Sequence, residues 1–133
     1  MSSFSEHEIA YLASQRLGRL ATVSAAGEPH VVPVGFRYNP EQGTIDVGGL
    51  NLAATRKYRD AARHPAVAFV VDDVLPPWQP RGIEIRGRAA TLSDGGTQIH
   101  PNLAPQIIRI TPTRIISWGL DGESTRRSSR AVD

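Results

Sequence analysis

The fold class is indicated most clearly by the stretch His30-Val-Val-Pro-Val-Gly-Phe-Arg-Tyr38, which is followed by Asn39-Pro-Glu-Gln-Gly43 and then by Thr44-Ile-Asp-Val-Gly48. The outer two segments carry the apolar and β-branched residues that are typical of strands, and the middle one carries turn formers. The stretch therefore predicts two antiparallel strands joined by a short turn. Pro33 cannot donate to a strand ladder, which predicts an edge, a bulge or a barrel corner there.

Further strands are predicted on both sides of this hairpin. Residues 19–23 precede the turn 24–28, in which Gly27 can adopt a positive φ. Downstream, alternating or continuous apolar residues predict strands over 67–71, 83–92 and 107–118. The last of these is either one strand bent at Pro112 or a pair of strands. Asp72-Asp73 is predicted to end the fourth strand, and the proline-rich segment 75–80 is predicted to be a loop.

Two helices interrupt the strands. The first has Ser5 at its N-cap and Glu8 three residues later, which is the pattern of a capping box, and Phe4 with Ile9 fits a hydrophobic staple. The second is predicted over Ala53–Arg63, and it follows the flexible connection at residues 48–52. A helix that crosses between the third and fourth of six antiparallel strands suggests a small closed barrel. We therefore predict a mainly β (α+β) fold with two to three short helices.

The composition restricts the classes to which the protein can belong. The chain has 133 residues, no Cys, 40% hydrophobic residues and 21% charged residues, which suits one globular domain and excludes disulfide scaffolds and thiolate chemistry. We predict a single domain at residues 1–119 and a mobile polar tail at 120–133. The sequence has neither an apolar run long enough for a membrane span nor a signal-peptide pattern, so a cytoplasmic protein without membrane partners is expected.

The concentrated chemical signal is Thr55-Arg56-Lys57, near the start of the second helix. Of the 15 basic residues only Lys57 is a lysine, and the net charge is only +2. A helix start offers free N–H groups and the positive end of a dipole, so it suits a phosphate. Cations at this end are unfavourable unless an anion binds there. The residues alone leave two readings equally open, a phosphate site and a solvated basic face.

Other kinds of site find little support. The nucleophile-elbow, dinucleotide-binding and phosphate-loop motifs are missing, and the four His residues lack metal-ligand spacing, so no metal site is predicted. The Asp72-Asp73 pair is interpreted as solvated. Aromatic residues make up 6% of the chain, which argues against nucleic-acid binding by stacking. No catalytic residue is identified.

The order of several short motifs resembles the pyridoxamine 5′-phosphate oxidase-like split-barrel superfamily over residues 5–119. The matching segments are His30–Val34, Val47-Gly-Gly49, Thr55-Arg-Lys57, His64-Pro-Ala-Val-Ala-Phe69, Ile83-Glu-Ile-Arg-Gly-Arg-Ala89 and Arg114-Ile-Ile-Ser-Trp-Gly119. Within that superfamily the chain is most similar to the short proteins whose coenzyme is the deazaflavin F420.

The resemblance implies a six-stranded antiparallel split β-barrel of the FMN-binding type, which forms a homodimer with cofactor sites at its interface. It implies that Thr55, Arg56 and Lys57 bind the cofactor phosphate. The strand segment His30, Val31, Val32, Pro33 and Val34 would line the ring, and Val47, Gly48 and Gly49 would border the phosphate and sugar-alcohol chain. His30 replaces an Arg of the pyridoxamine oxidases, and their longer C-terminal segment is missing. Both departures favour F420 over FMN.

The resemblance implies an F420-dependent oxidoreductase that transfers a hydride between the coenzyme and a small organic acceptor. Two alternatives stay open at this point. One is an FMN-binding oxidoreductase of the same fold, and the other is a protein that carries F420 or flavin without turnover.

Overall fold

The computed structural model describes residues 3–121 and 127–133, and its elements follow the chain as alternating strands and short helices. The helices are α1 (Glu6–Ser14), α2 (Arg56–Arg63) and α3 (Gly96–Ile99), and Leu52–Ala54 forms a 3₁₀ turn. The strands are β1 (Leu17–Val23), β2 (Pro29–Asn39), β3 (Thr44–Gly48), β4 (Ala66–Leu75), β5 (Gln79–Leu92), β6 (Ile107–Trp118) and β7 (Arg127–Ala131).

Six strands close into an antiparallel barrel. They are hydrogen-bonded in the order β3-β2-β1-β4-β5-β6, and the pairing of β3 with β6 closes the ring. The α2 helix lies in the connection between β3 and β4, as the sequence predicts. The split-barrel fold class is therefore confirmed, with β7 as an additional strand on β6.

The second strand changes its partner halfway along its length. Residues 29–35 pair with β1, whereas residues 35–39 pair with β3, so only Gly35 lies opposite residues of both neighbours. Pro33 lies opposite Arg19, in the part of β2 for which the described residues provide a strand on one side only. Of the three positions predicted for Pro33, an edge, a bulge or a barrel corner, the structure shows the edge.

The barrel interior is apolar, and a buried polar cluster lies on the other face of β3, around Asp46. Phe36 and Phe69 meet edge to face with ring centroids 5.2 Å apart. The carboxylate of Asp46 is buried and accepts two hydrogen bonds from Arg109, at 3.0 and 3.1 Å, and one from Asn39 at 2.9 Å. The fully buried side chains include Leu20, Ile45, Phe69, Ile83, Ile85, Ile110 and Ile115.

The N-terminal helix begins as predicted. The N–H of Glu8 donates to Oγ of Ser5 at 3.2 Å, and the N–H of Ser5 donates to Oε1 of Glu8 at 2.8 Å, so the capping box is present. In the turn before β2, Gly27 has a φ of 84°, which confirms its predicted conformation.

The β4–β5 hairpin is longer than predicted. Asp72 and Asp73 do not end β4, because their carboxylates pair with arginines of other strand segments: Asp72 with Arg19 at 3.1 Å and Asp73 with Arg81 at 2.7 Å. The strand continues to Leu75, and the segment predicted as a loop shrinks to a tight turn before Gln79.

The second helix starts three residues later than predicted. Residues 52–54 form the 3₁₀ turn instead of the first helical turn. Thr55 has an extended backbone and accepts a hydrogen bond from the N–H of Tyr58, so it is the N-cap and Arg56 is the first helical residue.

Residues 127–131 form strand β7, so the predicted mobile tail is wrong for these residues. Strand β7 pairs with β6, from Arg127 opposite Trp118 to Ala131 opposite Arg114. Arg130 reaches across to Glu8, a residue that is only 1% exposed, and its Nη1 donates to Oε2 at 3.0 Å. The backbone pairing of β7 with β6 thus orders a segment whose polar composition predicts a mobile tail. Residues 122–126 of the predicted tail lie outside the described residues.

In the described ranges, no helix combines the length and apolarity that a membrane crossing would need.

Candidate functional site

The residues predicted to bind a phosphate surround the start of α2. Thr55 caps the helix, and the N–H groups of Arg56 and Lys57, the next two residues, have no hydrogen-bond acceptor within the described ranges. Free N–H groups and the helix dipole make this end attractive to an anion. The first turn contains no acidic residue, so nothing in the turn itself offsets the positive end.

The hydroxyl of Thr55 is already engaged. It donates to the carbonyl of Leu52 at 2.6 Å and accepts from the N–H of Tyr58 at 3.4 Å. A ligand phosphate would receive this proton only if the bond to Leu52 breaks. In this structure Thr55 therefore holds the helix start in place, while the free donors belong to Arg56 and Lys57.

Lys57 is half-buried, and its burial lowers the pKa of its ammonium below the ordinary value. Among the described residues no carboxylate lies within ion-pair distance of it. An anion bound beside Lys57 would favour the charged form and reverse this shift. The position is thus one at which an unpaired cation is unfavourable and a bound anion is favourable.

The structure brings Arg56 next to the second strand. Nη1 of Arg56 lies 3.5 Å from Nε2 of His30. Arg56 is exposed and His30 is half-buried, so both side chains border solvent at this point. The predicted phosphate residues and the beginning of the predicted ring-binding strand therefore form one continuous surface.

The strand segment from His30 to Val34 presents alternate residues to the outside. Val31 is 65% exposed and Pro33 is exposed, whereas Val34 is buried and Val32 packs against the core. On the side away from β1, no described strand pairs with residues 29–34. The backbone N–H and C=O groups on that side can therefore form hydrogen bonds with a ligand. A planar ring with donors and acceptors at its rim would use them if it bound parallel to the strand.

The segment Val47–Gly49, which is predicted to border the phosphate and the sugar-alcohol chain, does not present its side chains to the site. The side chain of Val47 is fully buried in the core, so it cannot touch a ligand. Gly48 packs so closely against Ile99 and Leu103 that a Cβ would lie 2.9 Å from the Cδ1 of each. The carbonyl of Gly49 accepts from the N–H of Ala104 at 3.0 Å. These residues support the loop that leads to α2 and offer a ligand backbone atoms only.

An apolar cavity of about 300 Å³ adjoins the exposed strand edge. It lies on the outer face of the barrel, between Val31 of β2, Ala21 of β1 and Val70 of β4, and Trp118 forms part of its wall. Two charged residues, Arg19 and Glu84, lie at its border. The Arg19 guanidinium bonds Asp72 at 3.1 Å and the Glu84 carboxylate accepts from Arg86 at 2.8 Å, so both charges have partners.

Sequence reasoning does not single out every residue of this surface. Asp60 of α2 is 4% exposed, and its Oδ2 has no hydrogen-bond partner among the described residues. The available signal is its spacing, because Asp60 lies between Arg56, Arg59 and Arg63 on a helix of eight residues. The sequence also does not identify the apolar outer face of the barrel. Alternating residues show that a strand has two different faces, but they do not show which face is exposed to solvent.

Comparisons with known proteins agree with the fold. The family model of pyridoxamine 5′-phosphate oxidase matches residues 5–119. The 5a,11a-dehydrotetracycline/5a,11a-dehydrooxytetracycline reductase of Streptomyces rimosus subsp. rimosus is 47% identical over 122 residues, which cover 90% of this chain and 86% of that protein.

Two solved structures have the same barrel. An FAD binding protein from Mycobacterium smegmatis has a TM-score of 0.63 at 25% identity, and the match covers 86% of this chain and 93% of that one. An F420 reductase has a TM-score of 0.59 at 26% identity, and the match covers 75% of this chain and 88% of that one.

Proposed function

The chain belongs to the pyridoxamine 5′-phosphate oxidase family, and from this premise we propose that it is an oxidoreductase that uses the coenzyme F420 to reduce a small organic acceptor. The observation that carries the proposal is the start of α2. There, the first helical turn carries the cations of Arg56 and Lys57 and two N–H groups without a described acceptor, and no described carboxylate lies within ion-pair distance of either cation. A phosphorylated coenzyme supplies the missing anion.

The residues present fit such a coenzyme. Arg56 offers a two-pronged guanidinium and Lys57 a compact charge, and both lie on the first turn of the helix. Nη1 of Arg56 lies 3.5 Å from Nε2 of His30, where the exposed edge of β2 begins, so the edge from His30 to Val34 would hold a ring that is joined to the phosphate by a chain. When bound in its reduced form, F420 would supply a hydride from C5 of its deazaflavin ring and would itself become oxidised. The chain's own task is to bind, orient and shield the ring.

The acceptor is proposed to be an activated carbon–carbon double bond. This follows from the relative in Streptomyces rimosus, whose substrates are dehydrotetracyclines and which is 47% identical to this chain. The apolar cavity beside Val31 has the character that such a substrate needs, since Ala21, Val70 and Trp118 form its walls. Water or a hydroxyl side chain would supply the proton that completes the reduction.

Two features favour F420 over FMN. His30 stands where the pyridoxamine oxidases are expected to carry an Arg, and the chain lacks their longer C-terminal segment. The similarity to an F420 reductase, at 26% identity, also supports this coenzyme. An FMN-binding oxidoreductase of the same fold is the second candidate, since an FAD binding protein is similar at 25% identity.

The protein is further proposed to be a homodimer whose cofactor sites lie at the interface. Large apolar side chains are exposed on the outer face and at the tip of the β4–β5 hairpin: Leu17 is 54%, Val31 is 65% and Trp78 is 74% exposed. Exposed apolar groups such as Leu17 and Val31 on the outer face are typical of interfaces. A second copy on that face would also exclude water from the ring.

A pair of titrations tests the coenzyme. Purified protein is titrated with F420 and separately with FMN, and binding is followed by fluorescence. We expect the dissociation constant for F420 to be lower than that for FMN by at least about tenfold, a difference of about 1.4 kcal/mol in binding free energy. Preferential binding of FMN would contradict the proposal.

Turnover distinguishes an enzyme from a carrier. Reduced F420 is mixed with the protein and a panel of acceptors that includes dehydrotetracyclines, and oxidation of the coenzyme is measured. We expect oxidation with at least one conjugated acceptor. Tight binding of F420 without oxidation across the panel would instead identify a coenzyme carrier.

A further inference from the structure

The apolar cavity beside Val31 has a floor of small side chains. Ala21 of β1 lies opposite Ala68 of β4 in the antiparallel register. Both side chains point to the outside of the barrel, because the alternate residues Leu20 and Phe69 are buried inside it. Two methyl groups at this point leave a depression in the outer face, and this depression is the cavity of about 300 Å³.

Arg19 lies at the border of this cavity and beside the strand proposed to line the coenzyme ring. It precedes Ala21 by two residues and therefore shares the outer face. In the register it is opposite Val70 of β4 on one side and opposite Pro33 of β2 on the other. Side chains that face each other on adjacent strands have Cβ atoms about 5 Å apart. The Arg19 side chain can therefore reach a molecule that lies over both the cavity and the exposed part of β2.

The guanidinium of Arg19 keeps donors for a ligand. Its Nη1 bonds Asp72 at 3.1 Å, and no hydrogen bond of Nε or Nη2 is found within the described residues. The two side chains are 45% and 51% exposed, so water weakens their pairing. Of the described residues that line the cavity, Arg19 alone is a cation. The carboxylate at the other border, that of Glu84, belongs to a strand two spacings away, about 10 Å, and accepts from Arg86.

We propose that Arg19 binds the carbonyl oxygen of a conjugated ketone in this cavity and stabilises the enolate that forms as the ketone is reduced. The inference deepens the proposed function and rests on it. The walls formed by Val31, Ala68 and Val70 suit the carbon skeleton of such an acceptor. Arg19 supplies donors at the point where negative charge develops, and donors placed there lower the barrier to the reaction.

The step balances with a reduced deazaflavin as the hydride donor. The C–H bond at C5 of the deazaflavin breaks, and its hydride forms a new C–H bond at the β-carbon of the acceptor. The π electrons of the double bond move toward the carbonyl oxygen, so the acceptor becomes an enolate and the deazaflavin is oxidised. Arg19 donates to the enolate oxygen. Water or a hydroxyl side chain then protonates the α-carbon and gives the saturated ketone.

Two probes with one carbon skeleton test this oxyanion site without the coenzyme. Dimedone is ionised at neutral pH, and its negative charge is shared by the two oxygens of a cyclic enolate. Isophorone has the same ring but is a neutral enone, because a methyl group replaces the ionised oxygen. Binding of each to the intact protein is measured by calorimetric titration. We expect the wild type to bind dimedone at least about fivefold more tightly than isophorone, which is within the effect of one hydrogen bond.

Three variants assign this preference to Arg19. Arg19→Met removes the donors and is expected to abolish the preference for dimedone. Arg19→Lys keeps the charge without the fork of donors and is expected to retain part of the preference. Arg88→Met is the matched control, because Arg88 is an exposed arginine of β5 that does not line the cavity, and it is expected to keep the preference in full. Circular dichroism checks the fold of each variant, and light scattering checks its mass.

Kinetic measurements connect the site to the reaction. With an acceptor that the wild type reduces, Arg19→Met is expected to lower kcat by about tenfold or more, because the enolate loses its donor. The dissociation constant for F420 is expected to stay unchanged. A residue that only shaped the cavity would change KM and leave kcat as it is.

The inference is overturned by equal binding of the two probes to the wild type, by a preference that persists in Arg19→Met, or by a preference that Arg88→Met also loses. It is equally overturned if dimedone does not bind at millimolar concentration. A change of mass in Arg19→Met would assign the residue to an interface between copies and would overturn the inference too.

Failure of the proposed function gives a different result. A protein that prefers dimedone through Arg19 but does not bind F420 contradicts the coenzyme and leaves the oxyanion site in place. F420 binding and turnover with an unchanged kcat in Arg19→Met contradict the role of Arg19 alone.

Discussion

Nη1 of Arg56 lies 3.5 Å from Nε2 of His30, and this contact joins the first residue of helix α2 to the exposed part of strand β2. The two residues are 26 positions apart in the chain, and each belongs to an element with free backbone groups at that point. A ligand that binds the start of the helix therefore also reaches the strand edge. Coenzyme affinity is expected to depend on both elements.

Replacing Lys57 by Ala is expected to weaken F420 binding by at least about tenfold, since it removes a charge-assisted hydrogen bond to the phosphate. Stability should not fall, because Lys57 has no described ion-pair partner and its burial disfavours its charge. The measurements are a fluorescence titration and a thermal melt. Arg16→Ala is the control for the loss of one positive charge, and an unchanged dissociation constant in Lys57→Ala would mean that this residue is only a surface cation.

A charge on the outer face tests the proposed homodimer. Val31 is 65% exposed, and Val31→Glu would place a carboxylate in the proposed interface. We expect the wild type to have twice the mass of one chain by light scattering and the variant to dissociate and lose F420 affinity. Thr97→Glu, at an exposed position of α3, is the control. A wild-type protein that is monomeric at micromolar concentration would refute the dimer.

Two glycines near the site make a matched pair. In Gly48→Ala the new Cβ would lie 2.9 Å from side-chain carbons of Ile99 and Leu103, whereas in Gly35→Ala it would meet nothing within 4 Å. We expect Gly48→Ala to lower the free energy of unfolding by about 1 kcal/mol, because side chains on and after α3 must shift. Gly35→Ala should be neutral or slightly stabilising. Urea unfolding measures both, and equal effects would show that the packing around Gly48 is loose.

The ion pair between Glu8 and Arg130 predicts a dependence of stability on C-terminal residues. Glu8 is 1% exposed, and Arg130 contacts both of its carboxylate oxygens. Arg130→Met would leave a buried carboxylate with the hydroxyl of Ser117 and the N–H of Ser5 as its remaining donors. We expect a loss of about 2 to 3 kcal/mol at neutral pH, somewhat below the range for fully buried pairs because Arg130 is partly exposed. A loss below 0.5 kcal/mol, which is about the value of an ordinary surface pair, would contradict this.

The same pair predicts the pH dependence. Burial alone would raise the pKa of Glu8, but hydrogen bonds from Arg130, the backbone of Ser5 and Ser117 outweigh it, so the pKa lies below its ordinary value. A depressed carboxyl pKa stabilises the fold above the unfolded-state value and loses this contribution as pH falls through the folded-state value. The wild type should therefore lose stability below about pH 4.3, the usual Glu pKa. Without Arg130 the pKa rises, so the difference between wild type and Arg130→Met should shrink toward low pH. A difference that stays constant with pH would contradict the assignment.

Local signals in the sequence predicted most of the barrel. The capping box at Ser5 and Glu8, the turn glycine Gly27 and the edge proline Pro33 each act within a few residues, and each is where it was expected. The end of β4 was predicted wrongly because Asp72 and Asp73 are stabilised in a strand by Arg19 and Arg81, and such pairing depends on distant parts of the chain.

The sequence predicts which types of residue form the candidate site, but it does not predict how their side chains are arranged. The cations of residues 56 and 57 follow from sequence, and so does a helix start near them. The sequence does not show that the Thr55 hydroxyl is bonded to Leu52, that Val47 points into the core, or that His30 meets Arg56. Each of these facts depends on how the loop before α2 packs, which is a tertiary property.

The composition of β7 bears on how the molecule behaves in concentrated solution. This strand bonds to β6 on one side and ends the strand order of the described sheet, so its far side is an open row of amides and carbonyls. Open edges invite pairing between molecules and aggregation. Arg127, Ser128 and Ser129 are exposed there, and a charged side chain at a strand edge opposes pairing with a second copy. The polar residues of β7, which make the segment look like a tail in the sequence, thus help to prevent two molecules from pairing through their β7 edges.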